Sequence, residues 1–294
     1  MQAMILAAGF GTRLLPYSGF RPKPLFPLLN IPLLRLQIGE LRRAGIRRIL
    51  VNCHHLSRQI EEAVADLDDL VVLKEKQILG TGGALRNALD HFEDGPLLVV
   101  NGDIYHTVDL KALFEQYAVC GSKVLLAVHN YPRFNSLEVE DDSIVGFTAD
   151  NSSPALAFTG LHVIDPQILK GMNKNHYSCI IDRYRQLLMN NERIAAVRVD
   201  ESYWRDIGTP ADYLDLHGGL LRQRVPCLQV LQPAVSGSFL VDEQARVGRG
   251  VHMEEWCCIG KALIGNNVSI CRSVVWDGAV IADGSVLADV IVTQ

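Results

Sequence analysis

MILAAGFGTRLLPYSGFRPKP, residues Met4 to Pro24, decides how the chain is read. Met4 to Ala8 is an apolar run of the kind that forms a buried parallel strand, and Gly9 stops it. Gly9 and Gly11 lack a Cβ, so their amides can approach a ligand closely and converge on an anion, as phosphate-holding loops do. Arg13 adds a fork-shaped guanidinium able to clamp two phosphate oxygens, and Lys23 a compact, movable ammonium. Pro22 and Pro24 are expected to hold Lys23 extended. A dinucleotide fingerprint would need a third glycine where Leu14 stands, and a Walker loop would need Gly-Lys-Ser/Thr after four spacers, so neither applies.

Outward from this loop, strand and helix patterns alternate. Pro32 to Ala44 has helical spacing and ends at Gly45; Ile46 to Asn52 reads as a strand, Leu56 to Leu67 as a helix, Leu70 to Leu73 as a strand and Gly82 to Phe92 as a helix. The apolar run Leu97 to Val100 follows. Alternation of this kind implies a parallel sheet with helices on both faces, whose ligands collect at the carboxyl ends of strands. The ends at Gly9 and at Asn101-Gly102-Asp103 are therefore expected to face one cleft. After a helix at Asp109 to Ala118 and a strand at Lys123 to His129 the pattern changes. Leu137 to Glu140 and Ile144 to Thr148 flank a hairpin signal at Asp141-Asp142-Ser143, and Ala155 to Ile164 is extended, which together read as an antiparallel insertion. A helix at Ser178 to Met189 and a strand at Ile194 to Val199 come next. Thr209-Pro210 then supplies an N-cap and first-turn proline for a helix running to about Arg222.

From Val225 the composition shifts. Pro226 and Pro233 bound a connector, and aliphatic residues then recur every six positions: Val241, Val247, Met253, Ile259, and in a shifted register Val268, Val274, Val280, Val286 and Val292. Inward aliphatics at this period with glycine turns mark a parallel β-helix. A stub of so few coils cannot cover both its ends, so it is expected to pack on the first domain or on a partner subunit, making a homo-oligomer through the tail one expectation. A chain cut after Arg222 is expected to keep its chemistry. The fold class expected is α/β: a Rossmann-like mixed, mostly parallel sheet flanked by helices, with a short C-terminal left-handed parallel β-helix.

Composition narrows the partners. The formal net charge is −5 with no long basic run, which argues against a nucleic-acid footprint. No apolar run approaches membrane-spanning length and no leader-like segment precedes the first strand, so the expectation is a soluble, cytoplasmic protein without membrane partners. Seven cysteines without a CxxC pair read as reduced thiols, and neither His54-His55 nor Cys257-Cys258 offers tetrahedral geometry from one turn.

LAAGFGTRLLP at Leu6 to Pro16, followed by a lysine between two prolines, resembles the signature of the sugar-1-phosphate nucleotidyltransferases, and the resemblance extends over roughly residues 3 to 222. It implies a catalytic domain at 1–225, a linker at 226–236 and a hexapeptide-repeat domain at 237–294. Ala8, Gly9, Gly11 and Thr12 then belong to the nucleotide-binding loop. LGTGGAL at Leu79 to Leu85 is similar to the family's segment beside base and ribose, which brings in Gly82, and Glu75 and Gln77 stand where relatives place base-contacting side chains. NGDI at Asn101 to Ile104 resembles the metal-binding step and WRDIGTP at Trp204 to Pro210 the late motif, making Asp103 and Asp206 the implied ligands of Mg²⁺. The implied substrates are a nucleoside triphosphate and a sugar 1-phosphate, with Arg13 on the leaving pyrophosphate, Lys23 bridging the two phosphate groups, and Arg13, Lys23 and Asp103 as the catalytic set. Thr159-Gly160 and Glu138 are the implied sugar contacts.

Many relatives carry Glu-Lys-Pro after the hairpin, where this chain has Thr148-Ala149-Asp150-Asn151. That departure, with VNCHHL at Val51 to Leu56, is similar to muramic-acid-1-phosphate uridylyltransferases, whereas the tail is similar to mannose-1-phosphate guanylyltransferase-like proteins. GTP with mannose 1-phosphate is the first pair implied and UTP with N-acetylmuramate 1-phosphate or another hexose 1-phosphate the second. Two other readings stand beside these. One is a catalytically silent nucleotide-sugar-binding regulatory subunit, disfavoured by the presence of Arg13, Lys23, Asp103 and Asp206 together. The other is an acyltransferase with His252 as base, disfavoured by the few coils.

Overall fold

The computed structural model describes residues 1–148, 155–234 and 237–293. Ala149 to Asn151 and the last two residues of the expected linker lie outside the described residues. Packing divides the chain into two compact units: Met1–Phe10, Gln37–Ile104 and Val108–Trp204 form the first, and Gly11–Leu36, Tyr105–Thr107 and Arg205–Gln294 the second.

The first unit is built on a sheet of nine strands: β1 (Gln2–Leu6), β2 (Arg48–Cys53), β3 (Leu70–Lys74), β4 (Leu97–Asn101), β5 (Val124–His129), β6 (Asn135–Glu140), β7 (Ser143–Phe147), β8 (Ala155–Ile164) and β9 (Ala195–Arg198). Their order is β3-β2-β1-β4-β8-β5-β9-β7-β6, with β8 also paired to β6. β3, β2, β1 and β4 are mutually parallel, in a register that sets Leu6 opposite both Asn52 and Asn101. Their near-continuous Val, Ile and Leu content fits strands buried on both faces.

The sheet is mixed, as expected, with β8 entering its middle and running antiparallel to both β4 and β5. A parallel neighbour requires a helical crossover, whereas β8 follows the antiparallel hairpin β6–β7 and arrives from the opposite direction. Helices α1 (Leu33–Arg43), α2 (Ser57–Ala63), α3 (Gly80–Ala88), α4 (Leu110–Val119) and α5 (Ile180–Met189) fall where the apolar periodicity placed them. α3 and α5 close one core: Ala84, Leu85, Ile180, Tyr184 and Leu187 pack with Met4, Val99 and Leu126 of the strands.

In the second unit, α6 (Pro210–Leu221) is capped by Thr209, whose Oγ1 accepts from Asp212 N at 3.1 Å. Its buried face is aromatic and hydrogen-bonded. The Tyr213 hydroxyl donates to Pro27 O and accepts from Trp276 Nε1 at 3.0 Å, and Phe26 meets Trp276 edge-on at 4.8 Å. Burial pushes His217 down to about 4, so its neutral ring can pair at Nδ1 with Tyr213 O and accept at Nε2 from Leu29 N.

The C-terminal segment contributes three ladders of short parallel strands. Phe239–Val241 pairs with Cys257–Ile259, which pairs with Ser273–Val275; Arg246–Val247 with Leu263–Ile264 and then Val280–Ile281; and residues 252–254 with 269–271 and then 286–288. Cys257, Ile259, Ile264, Val268, Ile270, Val275 and Ile281 form their shared core. Most steps between partners are 17 residues, as in Arg246, Leu263 and Val280, not the 18 that a strict six-residue period would give. That difference moves the phase. Val280 and Val286, expected inward, are exposed, while Ile264 and Ile281 take the buried positions; Val247 shares their register and is exposed at the first rung of its ladder. The corner residues Glu255, Arg272 and Asp289 repeat at the same 17-residue step with positive φ, and Arg272 is paired to both acids.

All seven cysteines are free thiols. Burial pushes Cys53 up to about 11 and Cys257 up to about 12, which keeps both protonated and unreactive at neutral pH.

Candidate active site

β1 stops at Leu6, two residues before the sequence pattern does, because the Ala7 N–H leaves the sheet ladder and donates to Asn52 Oδ1 at 2.8 Å. Asn52 lies near the end of β2 and is buried. Its Nδ2 donates to Glu75 Oε1 at 2.7 Å, and Glu75 Oε2 accepts from Leu79 N at 3.1 Å. Both oxygens of Glu75 are thus engaged within the protein. Burial raises its pKa, opposed by the bonds from Asn52 and Leu79. Gln77 is exposed. Phe10, half exposed, stands edge-on to His54 at 5.7 Å, whose Nδ1 lies 2.9 Å from Glu75 O.

The glycines of LGTGGAL have a packing reason. A Cβ at Gly82 would lie 2.6 Å from Met172 Cε, and one at Gly83 would lie 2.3 Å from His176 O. The amides of Gly82 and Gly83 both donate to Ser178 O, at 2.9 and 3.3 Å. The chain at His176 to Ile180 therefore presses on this turn. Gly83→Ala is expected to lower stability by about 1–3 kcal/mol through forced displacement of that segment and to raise KM for the nucleotide; thermal unfolding and steady-state kinetics read the two effects.

The turn carrying Asp103 is fixed from two sides. Gly102 N donates to Leu6 O at 2.9 Å, so close that an added Cβ would come within 2.7 Å of that oxygen. Buried Gln37 of α1 donates through Nε2 to Asn101 O at 2.9 Å and Ile104 O at 3.1 Å, bracketing the turn. Since β1 and β4 are adjacent and in register, the loop at Ala7 to Gly9 and the turn at Asp103 leave the same edge of the sheet. Gly160 has a φ of 79° and packs where a Cβ would meet Asn101 Nδ2 at 2.5 Å, while the Thr159 hydroxyl donates to Ala127 O at 2.8 Å. Thr159 is fully buried and its carbonyl accepts from Trp204 Nε1 at 2.7 Å. Glu138 lies on β6 with its carboxylate over Gly146 of β7.

In the second unit, Gly11 adopts the left-handed region at φ 63°, which starts the short turn Thr12–Leu14 and leaves Thr12 and Arg13 exposed. Lys23 departs from its expected conformation: it opens a 3-10 turn, Lys23–Leu25, with Leu25 N donating to Pro22 O at 2.8 Å and Phe26 N to Lys23 O at 3.0 Å. Those bonds outweigh the extended preference of a residue before proline. Lys23 is only 6% exposed, and its Nζ sits 2.9 Å from Asp206 Oδ1. Arg13 approaches Oδ2 of the same carboxylate at 3.4 Å, across Gly208, where a Cβ would lie 2.8 Å from the guanidinium. Gly11, Arg13, Lys23 and Asp206 are thus brought together. Lys23→Ala would leave a buried carboxylate short of a cation; it is expected to destabilise the protein by about 3 kcal/mol, read by thermal unfolding, and to slow turnover by about a hundredfold.

Among the described residues no three His, Cys, Asp or Glu side chains gather into a metal-binding group. A cation held here would rest on one or two carboxylates with phosphate oxygens and water completing its shell, which suits Mg²⁺. In the second unit Asp206 has the hard oxygen donors for it and would share its charge with Lys23 and Arg13; in the first, Asp103 is a carboxylate of the same kind.

Sequence reading missed Asn52, Gln37 and the segment at His176 to Ile180. Gln37 interrupts an otherwise apolar helix stripe and Asn52 interrupts the end of an apolar strand, and a polar residue at such buried positions is the available signal. His176 to Ile180 carries none.

A family model described as Nucleotidyl transferase matches residues 2–223. The mannose-1-phosphate guanylyltransferase of Mycobacterium tuberculosis is 27% identical over 298 residues, covering 97% of this chain and 80% of that protein. The UTP–glucose-1-phosphate uridylyltransferase of Synechocystis is 26% identical over 337 residues, covering 97% of this chain and 84% of that protein. Among solved structures, HddC from Yersinia pseudotuberculosis complexed with GMP-PN has a TM-score of 0.64 at 24% identity, covering 74% of this chain and 99% of that one.

Proposed function

Because the chain belongs to the nucleotidyl transferase family, we propose that it transfers a nucleotidyl group from a nucleoside triphosphate to a sugar 1-phosphate, with GTP and mannose 1-phosphate as the favoured pair. The observation that carries this reading is the pair of cations at the first loop: Lys23, almost fully buried, and the exposed Arg13 converge on Asp206 beside the left-handed Gly11. A cluster of this kind suits a polyphosphate, whose oxygens can displace or share the carboxylate's hold on both cations.

In the reaction, an oxygen of the sugar 1-phosphate forms a bond to the α-phosphorus as the bond from that phosphorus to the pyrophosphate oxygen breaks. The nucleophile is already an anion, so the chain's work is alignment and charge neutralisation, not proton abstraction. Arg13 holds the departing pyrophosphate and Lys23 bridges triphosphate and incoming phosphate. The amides at Ala8, Gly9, Gly11 and Thr12 border the phosphates, Gln77 and Gly82 the base, and Glu138, Thr159 and Gly160 the sugar. Asp103 and Asp206 are the carboxylates we assign to Mg²⁺, which when bound offsets charge on the α-phosphate.

UTP with a hexose 1-phosphate is the second pair, favoured by the similarity to the Synechocystis protein. The domain division at 1–225, 226–236 and 237–294 belongs to the same reading, as do a left-handed parallel β-helix for the C-terminal ladders, assembly of copies through it, and a cytoplasmic setting. No helix among the described residues is long and apolar enough to cross a membrane.

The test is pyrophosphate release with Mg²⁺ across ATP, CTP, GTP, UTP and dTTP, each against mannose, glucose, N-acetylglucosamine and N-acetylmuramic acid 1-phosphates. Release with GTP and mannose 1-phosphate is the expected result. Release with another pair reassigns the substrates, and none from any pair, with nucleotide-sugar binding by calorimetry, replaces the enzyme with a binding protein.

A further inference from the structure

We propose that Glu75 is a positioning residue that fixes the amide orientation of Asn52 and thereby ties the loop after β1 to the loop before α3. The inference rests on the nucleotidyltransferase reading, in which both loops border the nucleotide.

Donors and acceptors fix the arrangement. An ionised carboxylate only accepts hydrogen bonds, whereas an amide side chain has one accepting and one donating end. With Glu75 Oε1 2.7 Å away, the end of Asn52 that faces it must be Nδ2, and Oδ1 must face the other way. There it accepts the Ala7 N–H at 2.8 Å, the bond that draws the chain off the sheet and starts the phosphate-facing loop. Glu75 Oε2 meanwhile accepts Leu79 N at 3.1 Å, immediately before the glycine turn at Gly80 to Gly83. Ala7, Asn52, Glu75 and Leu79 therefore form a directional chain in which each polar end has one suitable partner. Reversing the amide at Asn52 would set donor against donor at Ala7 and acceptor against acceptor at Glu75. With both oxygens occupied, Glu75 acts on the nucleotide through these loops and not by touching the base.

The chain can be rebuilt with its polarity exchanged. Glu75→Gln alone supplies one acceptor for two donors and aims its own amide at a donor. Asn52→Asp alone sets two carboxylates face to face. When Glu75→Gln and Asn52→Asp are combined, the amide introduced at position 75 accepts from Leu79 N and donates to the carboxylate introduced at position 52. That carboxylate in turn accepts from Ala7 N, so every group is satisfied in the same space. Each single variant is expected to lower kcat/KM for the productive nucleotide by about 10- to 100-fold, the effect of leaving one buried polar group unmatched. The double variant is expected to return to within about threefold of the parent, with nucleobase preference unchanged.

The experiment measures kcat/KM across the nucleoside triphosphates for the parent, both singles and the double, together with amide hydrogen exchange at Ala7 and Leu79. Loss of exchange protection and activity in the singles, with recovery of both in the double, is the expected result. Altered base preference in Glu75→Gln with no recovery in the double would make Glu75 a base contact and overturn the proposal. So would singles that lose protection but keep activity, or a double that unfolds as readily as the singles. A parent that turns over no substrate pair yet shows the exchange pattern would instead bring down the nucleotidyltransferase reading and, with it, the functional half of this one.

Discussion

Asp103→Asn lowers turnover by about a thousandfold and leaves the melting temperature within a few degrees of the parent; this is the expected result of removing one negative oxygen from a carboxylate assigned to a divalent cation, where several kcal/mol of charge stabilisation are at stake. The fold tolerates the change because other groups hold the turn. Gly102 N is bonded to Leu6 O, and Gln37 brackets the backbone at Asn101 and Ile104. Pyrophosphate release over a range of Mg²⁺ concentrations, beside thermal unfolding, checks both halves. Turnover near the parent's would withdraw Asp103 from the metal assignment, and a large drop in melting temperature would make it a structural carboxylate.

Truncation after Arg222 is expected to abolish soluble, active protein, the reverse of what the sequence alone suggests. The C-terminal segment is not an appendage to its own unit. Trp276 lies against Phe26 and under the Arg21 guanidinium at 4.7 Å, and its indole N–H donates to the Tyr213 hydroxyl. Trp256 fills the space beside Gly218, where a Cβ would lie 2.7 Å from Nε1, and Asn30 Nδ2 donates to Ile259 O at 3.0 Å. Losing two buried tryptophans costs about 3–5 kcal/mol each, and typical domains hold only about 5–15 in reserve. The segment from Arg21 to Phe26, which includes Lys23, would lose its aromatic support. Soluble yield, tryptophan fluorescence and turnover of the shortened chain measure this; a folded, active product would show that the tail merely rests on the unit it covers.

What could be read in advance follows from how local each signal is. The strand and helix runs were legible because apolar spacing repeats within a few residues, and Thr209-Pro210 because a cap and a first-turn proline act on their own helix. Loop conformation was less so. Lys23 looked extended between its prolines, yet two backbone hydrogen bonds and burial against Asp206 turn it, and Asp206 is 183 positions away. A mixed sheet was expected, but the place of β8 within it was not legible for a similar reason: its position and direction depend on its partners β4 and β5, not on its own residues. The surroundings of Glu75 were not legible, since only the neighbouring Asn52 and Leu79 reveal that both its oxygens are occupied. In the C-terminal segment the six-residue recurrence drew attention to the right stretch and placed Val247 in the inward register, but assigned Val280 and Val286 to the wrong side, because a one-residue shortfall per step is invisible until the strands are set in register.

That shortfall has a use. With Arg246 paired to Leu263 and Leu263 to Val280, and with Glu255, Arg272 and Asp289 at the same spacing, each rung of this ladder is an interchangeable part of 17 residues. A duplicated part of that length should slot between existing ones and carry its aliphatic residues to the same side, so the segment's length can change in evolution or by design without redrawing the surfaces it already presents. An insert one residue longer would have to spend the extra residue on a bulge, as the chain does at Glu255, or rotate everything beyond it out of phase. The spacing of the rungs, more than the chemistry of any one of them, governs what this end of the molecule can become.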